Sequence, residues 1–416
     1  MPKLKRITAL INWILIVAVV LTSIFTFLLS LERFNGGFSA LISTAFPEKI
    51  SPEALKSKYI ERPIRILIVP GHDNINSGAQ FGELREADAN IAVAGYLYDY
   101  LKYNPKFETL VTRDLGTGEY IPVLKTYFEE NDEAIEKYME EKTEHVNAFI
   151  VEGIFSDKST NNHKKAVGDV RKKLYAINKW SNENNVDITI HIHFNDYAGR
   201  KWYQDGKYTG FSIYIPENQL PNHRVSKGLA DQIKTELEKS FSKGNGPLEK
   251  ETIIETQELI AVGAKGTRDS SSVLIEYGYI YEPQFKDWYT RSISMREMAY
   301  KTYLGVIGYF DKTTKALLPT TSLLPYTFVS DIKEDTNPKA DVLRLQTALI
   351  YDGVYPPSGR TLSDCPVTGI FGQCTKESVK SFQEKYADFV LLPLGQNKGT
   401  GIVGEKTIEK LNTLFR

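Results

Sequence analysis

Excess charge of either sign is what this sequence most clearly lacks: 51 Lys and Arg stand against 52 Asp and Glu over 416 residues, a formal net charge of −1. Without a global field, neither nucleic acid nor a polyanion is implied as a partner. Cysteine is nearly absent too. Cys365 and Cys374 are the only two, and their separation lacks the paired spacing of a zinc knuckle, while in an oxidising exterior it could close a small disulfide loop. With 42% hydrophobic and 25% charged residues the chain has the make-up of a folded protein rather than a disordered one. Its length suits two or three folded units.

One stretch departs from this balance. Ala9 to Leu31 is almost wholly apolar, with only Asn12 strongly polar. Roughly 20 apolar residues at ~1.5 Å each cross a bilayer core of ~30 Å. Lys3, Lys5 and Arg6 precede the run and favour the cytoplasmic side, so the remaining chain is expected outside. The run exceeds the roughly 7–15 residues of a secretory h-region, which favours an uncleaved signal anchor, with Ser43-Thr44-Ala45 as the competing cleavage signal. The reading is a cytoplasmic stub and single-pass anchor over 1–35, a tether over 36–62 carrying Pro47 and Pro52, and an extracytoplasmic remainder at the cell membrane.

Ile64-Arg-Ile-Leu-Ile-Val69 reads as a buried strand that stops at Pro70-Gly71, Glu86 to Tyr103 has helical spacing, and Thr109 to Thr112 is a second strand. A strand, a helix and a strand in succession favour an α/β layer architecture. Residues 116–168 read as a charge-rich insertion holding one solvated helix over Glu129 to Lys142. Helical periodicity returns over Val170 to Asn184, Ile188 to Phe194 alternates as a strand, and further strands fall at Gly210 to Ile215 and Val273 to Glu276. Helices are expected over Ser226 to Phe241 and Ser292 to Phe310. Pro319, Pro325 and Pro338 among Ser and Thr mark a linker over 315–338, closing a main domain of 63–314 and opening a small helical unit of 339–416. That unit repeats a turn: Gly369-Ile-Phe-Gly372-Gln-Cys-Thr375 and Gly401-Ile-Val-Gly404-Glu-Lys-Thr407 share Gly, Gly and Thr at one spacing, each before a helical pattern.

Metal-type ligands cluster where strands meet loops, the usual place for functional groups in α/β folds. They are His72, Glu86 and the strand Thr189-Ile-His191-Ile-His193-Phe-Asn195. Alternation places His191, His193 and Asn195 on one face, a costly arrangement unless a cleft or a metal satisfies it. Two His and a carboxylate with one open position are the ligand set of hydrolytic zinc sites. Glu276, ending an apolar strand, suits a general base. His145, His163 and His223 lie in charged or turn-like surroundings and read as surface.

Four blocks in order resemble the type 3 class of zinc-dependent N-acetylmuramoyl-L-alanine amidases: Val69-Pro-Gly-His72 with Gly78-Ala79, Glu86-Ala-Asp-Ala-Asn90, Ile190-His-Ile-His193-Phe-Asn195, and Leu274-Ile-Glu276-Tyr-Gly278. The resemblance covers roughly 64–312 and implies a mixed sheet flanked by helices. It also implies Zn2+ held by His72, Glu86 and His193, Glu276 as the catalytic carboxylate, and hydrolysis of the amide between the lactyl group of N-acetylmuramic acid and L-alanine. The chain departs from the pattern at Val69, at Asp73-Asn74 and at His191, which shares a face with His193 and stands as a cleft-wall residue or competing ligand, with Asn195 beside it. Residues 339–414 resemble the three-helix peptidoglycan-binding domain of the type 1 class, through Val342, Leu343, Leu345-Gln346, Leu349 and Val379, Phe382-Gln383. Gln383 and the aromatic residues near the turns are the groups to test for sugar contact. Peptidoglycan is the partner these resemblances imply and the membrane the partner the apolar run implies, no protein activator is legible, and helices added within 116–168 could form a lid. Two other readings compete: a zinc peptidase or carboxypeptidase acting on the stem peptide, and a catalytically silent wall-binding protein.

Overall fold

β-Branched runs build the centre of the molecule. A computed structural model describes residues 51–158, 166, 168–334 and 339–416. The apolar run 9–31, residues 36–50 of the tether and His163 lie outside the described residues. Among those described, no helix is long and apolar enough to cross a membrane. Strands β1 (Ile64–Pro70), β4 (Phe107–Val111), β5 (Ile188–Asn195), β6 (Ser212–Pro216), β7 (Ile253–Thr256) and β8 (Ser271–Tyr279) form one sheet in the order β4-β1-β5-β8-β6-β7. β4, β1, β5 and β8 run parallel and β6 opposes β8, so the sheet is mixed. A two-stranded hairpin, β2 (Gln80–Phe81) and β3 (Leu84–Arg85), precedes the first long helix.

Side chains alternate across the sheet. Ile66 and Ile68 of β1, with Ile188, Ile190, Ile192 and Phe194 of β5, enter one core beneath α2 (Glu86–Lys102), α6 (His223–Leu237) and α7 (Trp288–Phe310). Leu67 and Val69 face the opposite layer, where Ile177 and Trp180 of α5 (Gly168–Glu183) pack with Leu124 of α3 (Pro122–Glu130). α4 (Asp132–Val151) closes that layer through Ile135 against Tyr175.

Several boundaries differ from the sequence reading. The tether does not extend to residue 62: Pro52–Glu61 form a helix, α1, capped by the Ser51 hydroxyl, which accepts from Ala54 N at 3.1 Å. Leu55 is fully buried and Tyr59 stacks on Phe310 at 4.6 Å, so folding starts before Ile64. The single helix expected over 129–142 is two, because Asn131 leaves helical geometry at φ −112°, ψ 23°. α4 is held by side-chain contacts rather than being solvated all round, with Tyr138 donating to Thr267 O at 2.6 Å and Lys172 to Glu136 at 2.8 Å.

The segment read as a linker is packed. Leu323, Phe328 and Ile332 are buried in the core of the C-terminal unit, and Phe328 exchanges backbone bonds with the Asn412 amide at 2.8 and 2.9 Å. Counting proline and hydroxyl residues missed these three apolar anchors. The unit itself comprises α8 (Lys339–Asp352), α9 (Gln373–Lys385) and α10 (Glu405–Phe415), with Cys365 joined to Cys374 by a disulfide. It is bonded to α7 through Lys301, fully buried, which donates to Thr320 O at 2.6 Å and Tyr351 Oη at 2.9 Å and lies 3.4 Å from Glu297.

The repeated turn has one hydrogen-bond plan in both copies. Gln346 donates to Ile370 O and Thr375 Oγ1 while accepting from the N–H groups of Thr368 and Gly369. Gln383 does the same with Ile402 O, Thr407 Oγ1, Thr400 N and Gly401 N. Gln383 is therefore a buried latch, not an exposed group available to sugar. Gln383→Ala leaves several of these groups unpaired, each worth about 1–3 kcal/mol when buried, and is expected to lower stability by about 2 kcal/mol or more. Urea unfolding measures this; an unshifted midpoint would dismiss the latch.

Candidate active site

Three segments meet toward the carboxyl ends of the parallel strands. β1 stops at Pro70, and His72 follows in left-handed backbone at φ 61°, a conformation that concentrates at functional sites. The loop after it is tightly held. Asp73 Oδ1 accepts from Ile75 N and Asn76 N, Asn90 donates to Gly71 O at 2.9 Å, and the buried Arg113 donates to His72 O at 2.8 Å and Gly118 O at 2.7 Å. His72 Nδ1 lies 3.1 Å from Asn76 O. A carbonyl can only accept, so Nδ1 carries a proton, while Nε2 lies 3.2 Å from Glu86 Oε2.

Glu86 opens α2 and is buried. Its Oε2 accepts from Ala79 N at 2.8 Å, and its Oε1 accepts from Phe194 N at 3.2 Å and lies 3.0 Å from His193 Nδ1. One ligand atom each of His72, Glu86 and His193 fall within 4.8 Å of one another. Two glycines permit this closeness. A Cβ on Gly71 would sit 2.1 Å from His193 Cε1, and one on Gly78 would sit 2.3 Å from Glu86 Oε2.

Electrostatics separate the three. Burial opposes ionisation of Glu86, but its hydrogen bonds with His193 and His72 outweigh burial and hold it well below the usual carboxylate range. Burial also disfavours the His72 cation, yet the bond to Glu86 raises that pKa on balance. For His193 burial prevails over the pull of Glu86 and the pKa falls, favouring the neutral, ligating imidazole.

Glu276 stands in register with His193 across the β5–β8 pair. Its Oε2 is buried without a hydrogen-bond partner among the described residues. Burial, reinforced by the charges of Glu86 and Glu249, pushes its pKa well above the ordinary carboxylate value.

The remaining expectations resolve differently. His191 is fully buried and is not part of the three-residue group. Burial, then His193 and Arg268, push its pKa well below normal, and it bonds the Ala261 backbone. It belongs to the wall under the 260–266 turns rather than competing as a ligand. Asn195 turns away from the group and donates to Glu249 Oε1 at 2.7 Å. His145 is exposed; His223 is half-buried, its Nδ1 2.9 Å from Pro216 O, and so is not simple surface. Arg113 and Glu249 were not foreseen. Glu249 is buried and gathers Asn195, Ser212 Oγ at 2.8 Å, Gly246 N at 3.0 Å and Tyr279 Oη at 2.9 Å, all distant in sequence except Gly246.

Residues 66–308 match the family model described as N-acetylmuramoyl-L-alanine amidase, Amidase_3, over more than half the chain. The chain belongs to this amidase family. Solved structures similar to the amidase include the CwlD amidase of Clostridioides difficile in complex with the GerS lipoprotein, at 16% identity and TM-score 0.39, covering 60% of this chain and 99% of that one. Another is the catalytic domain of CwlV from Bacillus (Paenibacillus) polymyxa var. colistinus, at 16% identity and TM-score 0.36, covering 60% and 98%. A third is apo Ami1 of Mycobacterium abscessus, at 12% identity and TM-score 0.39, covering 60% and 100%. No curated protein matches the sequence.

Proposed function

We propose that this amidase is a zinc enzyme of the cell envelope, anchored by residues 9–31, cleaving the amide between N-acetylmuramic acid and L-alanine, with residues 339–416 holding it on peptidoglycan. The observation that carries the reading is the convergence of His72, Glu86 and His193 beside the orphaned carboxyl of Glu276. The donor set suits zinc: two imidazoles and one ionised carboxylate on rigid elements. Bound there, Zn2+ would supply Lewis-acid polarisation of the scissile carbonyl. The chain's own residues do the rest. Asn76 O and Glu86 orient the imidazole of His72, and Gly71 leaves room for that of His193. Glu276, whose surroundings raise its proton affinity, takes a proton from the attacking water and delivers it to the leaving nitrogen. A carbon–oxygen bond forms, the carbon–nitrogen bond breaks, and a lactyl carboxylate and the free amine of L-alanine leave.

The disulfide Cys365–Cys374 supports an extracytoplasmic site of action, since such bonds persist in oxidising compartments. Digestion of purified sacculi with the full chain, followed by mass spectrometry, tests the function. Free lactyl ends with intact stem peptides are the expected products. Shortened stems still attached to glycan would assign a peptidase, and unaltered sacculi a silent binding protein.

A further inference from the structure

Beside the site lies a loop whose surface is hard to explain as mere connection. Residues 196–210 follow β5 and carry Trp202 and Tyr203, both more than half exposed. Exposed aromatic side chains on a loop are ordinary when the loop is loose, but this one is fastened along its length. Arg200 donates to both oxygens of Asp196 at 2.6 and 2.7 Å and to Gln80 O at 2.6 Å. Gly206 lies so close to the Tyr281 ring that a Cβ would come within 2.0 Å, and Tyr208 N donates to Tyr281 Oη at 3.2 Å. Gly82 N donates to Trp202 O at 2.9 Å, tying the aromatic pair to the hairpin that leads into Glu86.

The same loop reaches a second exposed pair. Asp205 accepts from Lys286 at 2.6 Å, and Lys286 stands two residues before α7, whose first residues Trp288 and Tyr289 are 70% and 46% exposed. Tyr289 Oη in turn accepts from Arg344 of α8 at 3.3 Å, with the Arg344 guanidinium 5.6 Å from the ring centroid. Bonds and backbone continuity thus link the hairpin before Glu86, the loop bearing Trp202 and Tyr203, the start of α7 bearing Trp288 and Tyr289, and Arg344 of the C-terminal unit. Aromatic faces presented this way lose little conformational entropy on binding and match ligands with an apolar face and a polar edge. Pyranose rings, with axial C–H bonds on one face and hydroxyls at the rim, are such ligands.

We propose that Trp202, Tyr203, Trp288 and Tyr289 form a track that binds the sugar backbone of the peptidoglycan strand between the catalytic centre and the C-terminal unit. The proposal rests on the substrate reading above and names the part of the substrate these residues grip. The test uses the full-length chain with Trp202→Ala, Trp288→Ala and the double variant, the C-terminal unit intact in each. The probe is peptide-free glycan of alternating N-acetylglucosamine and N-acetylmuramic acid, titrated calorimetrically, alongside kinetics on sacculi. Each substitution is expected to raise the Kd for glycan and the KM for sacculi by about tenfold, the scale of one lost aromatic contact. The loss should fall on KM rather than kcat, and Trp→Phe at either position should restore most of it. Unchanged Kd and KM in the double variant would overturn the track. Failure of the substrate reading would look different: wild-type protein would release no alanyl peptides, and glycan titration would still decide the track.

Discussion

Glu276→Gln is expected to lower kcat on sacculi by about 10²- to 10⁴-fold, the usual contribution of a positioned general base, while zinc uptake and folding survive. Glutamine keeps the size of the side chain but cannot accept and release the proton. The expectation follows from position: Glu276 pairs in register with His193, and its Oε2 is buried with no hydrogen-bond partner among the described residues. Glutamine is neutral, polar and of the same size at this buried position, so the variant should melt close to the parent. Measuring kcat, metal content and Tm on one preparation separates the roles. Turnover equal to the parent's would remove Glu276 from the chemistry, and loss of metal with loss of turnover would make it a ligand.

His193→Ala should abolish both metal binding and activity. The imidazole is one of the three groups proposed to hold the metal, and its removal also strips Glu86 of the neighbour 3.0 Å from Oε1. Zinc that binds the folded parent at free concentrations a hundredfold above its Kd stabilises it by about 2.7 kcal/mol. The parent should therefore show a zinc-dependent rise in Tm and elemental analysis near one zinc per chain, and the variant should show neither. A variant that retains tight, stoichiometric zinc would refute the three-ligand assignment. His191→Ala serves as a contrast, because His191 lies in the wall and outside the group, so zinc content should persist.

Parts of this architecture were legible because short-range rules decide them. The run 64–69 is rich in β-branched residues and ends at Pro70, and the alternation through Ile188, Ile190, Ile192 and Phe194 fixes which side of β5 enters the core. Period two also put His191 and His193 on one face. It could not say that the turns at 260–266 would close over His191 while His193 stayed at the open end, since that burial depends on a segment about 70 residues away. Glu249 was invisible for the same reason: it sits in a loop without periodicity, and three of its partners come from β5, β6 and β8. Residue types at strand–loop junctions suggested a ligand set of His72, Glu86 and His193 with Glu276 as base, but family resemblance carried most of that expectation, because residues so widely spaced carry no local signal of meeting. Proline content misled over 315–338, where Leu323, Phe328 and Ile332 outweigh it.

Lys301 has a mechanical meaning beyond the bonds it makes. Prising the C-terminal unit from α7 would break the buried bonds from Lys301 to Thr320 O and Tyr351 Oη, which tie the two parts together. With residues 339–416 holding peptidoglycan as proposed above, the pair would act as a caliper of fixed jaw width, and the strand would meet the cutting jaw at a constant offset. On a long strand that offset would show up as a preferred spacing between successive cuts.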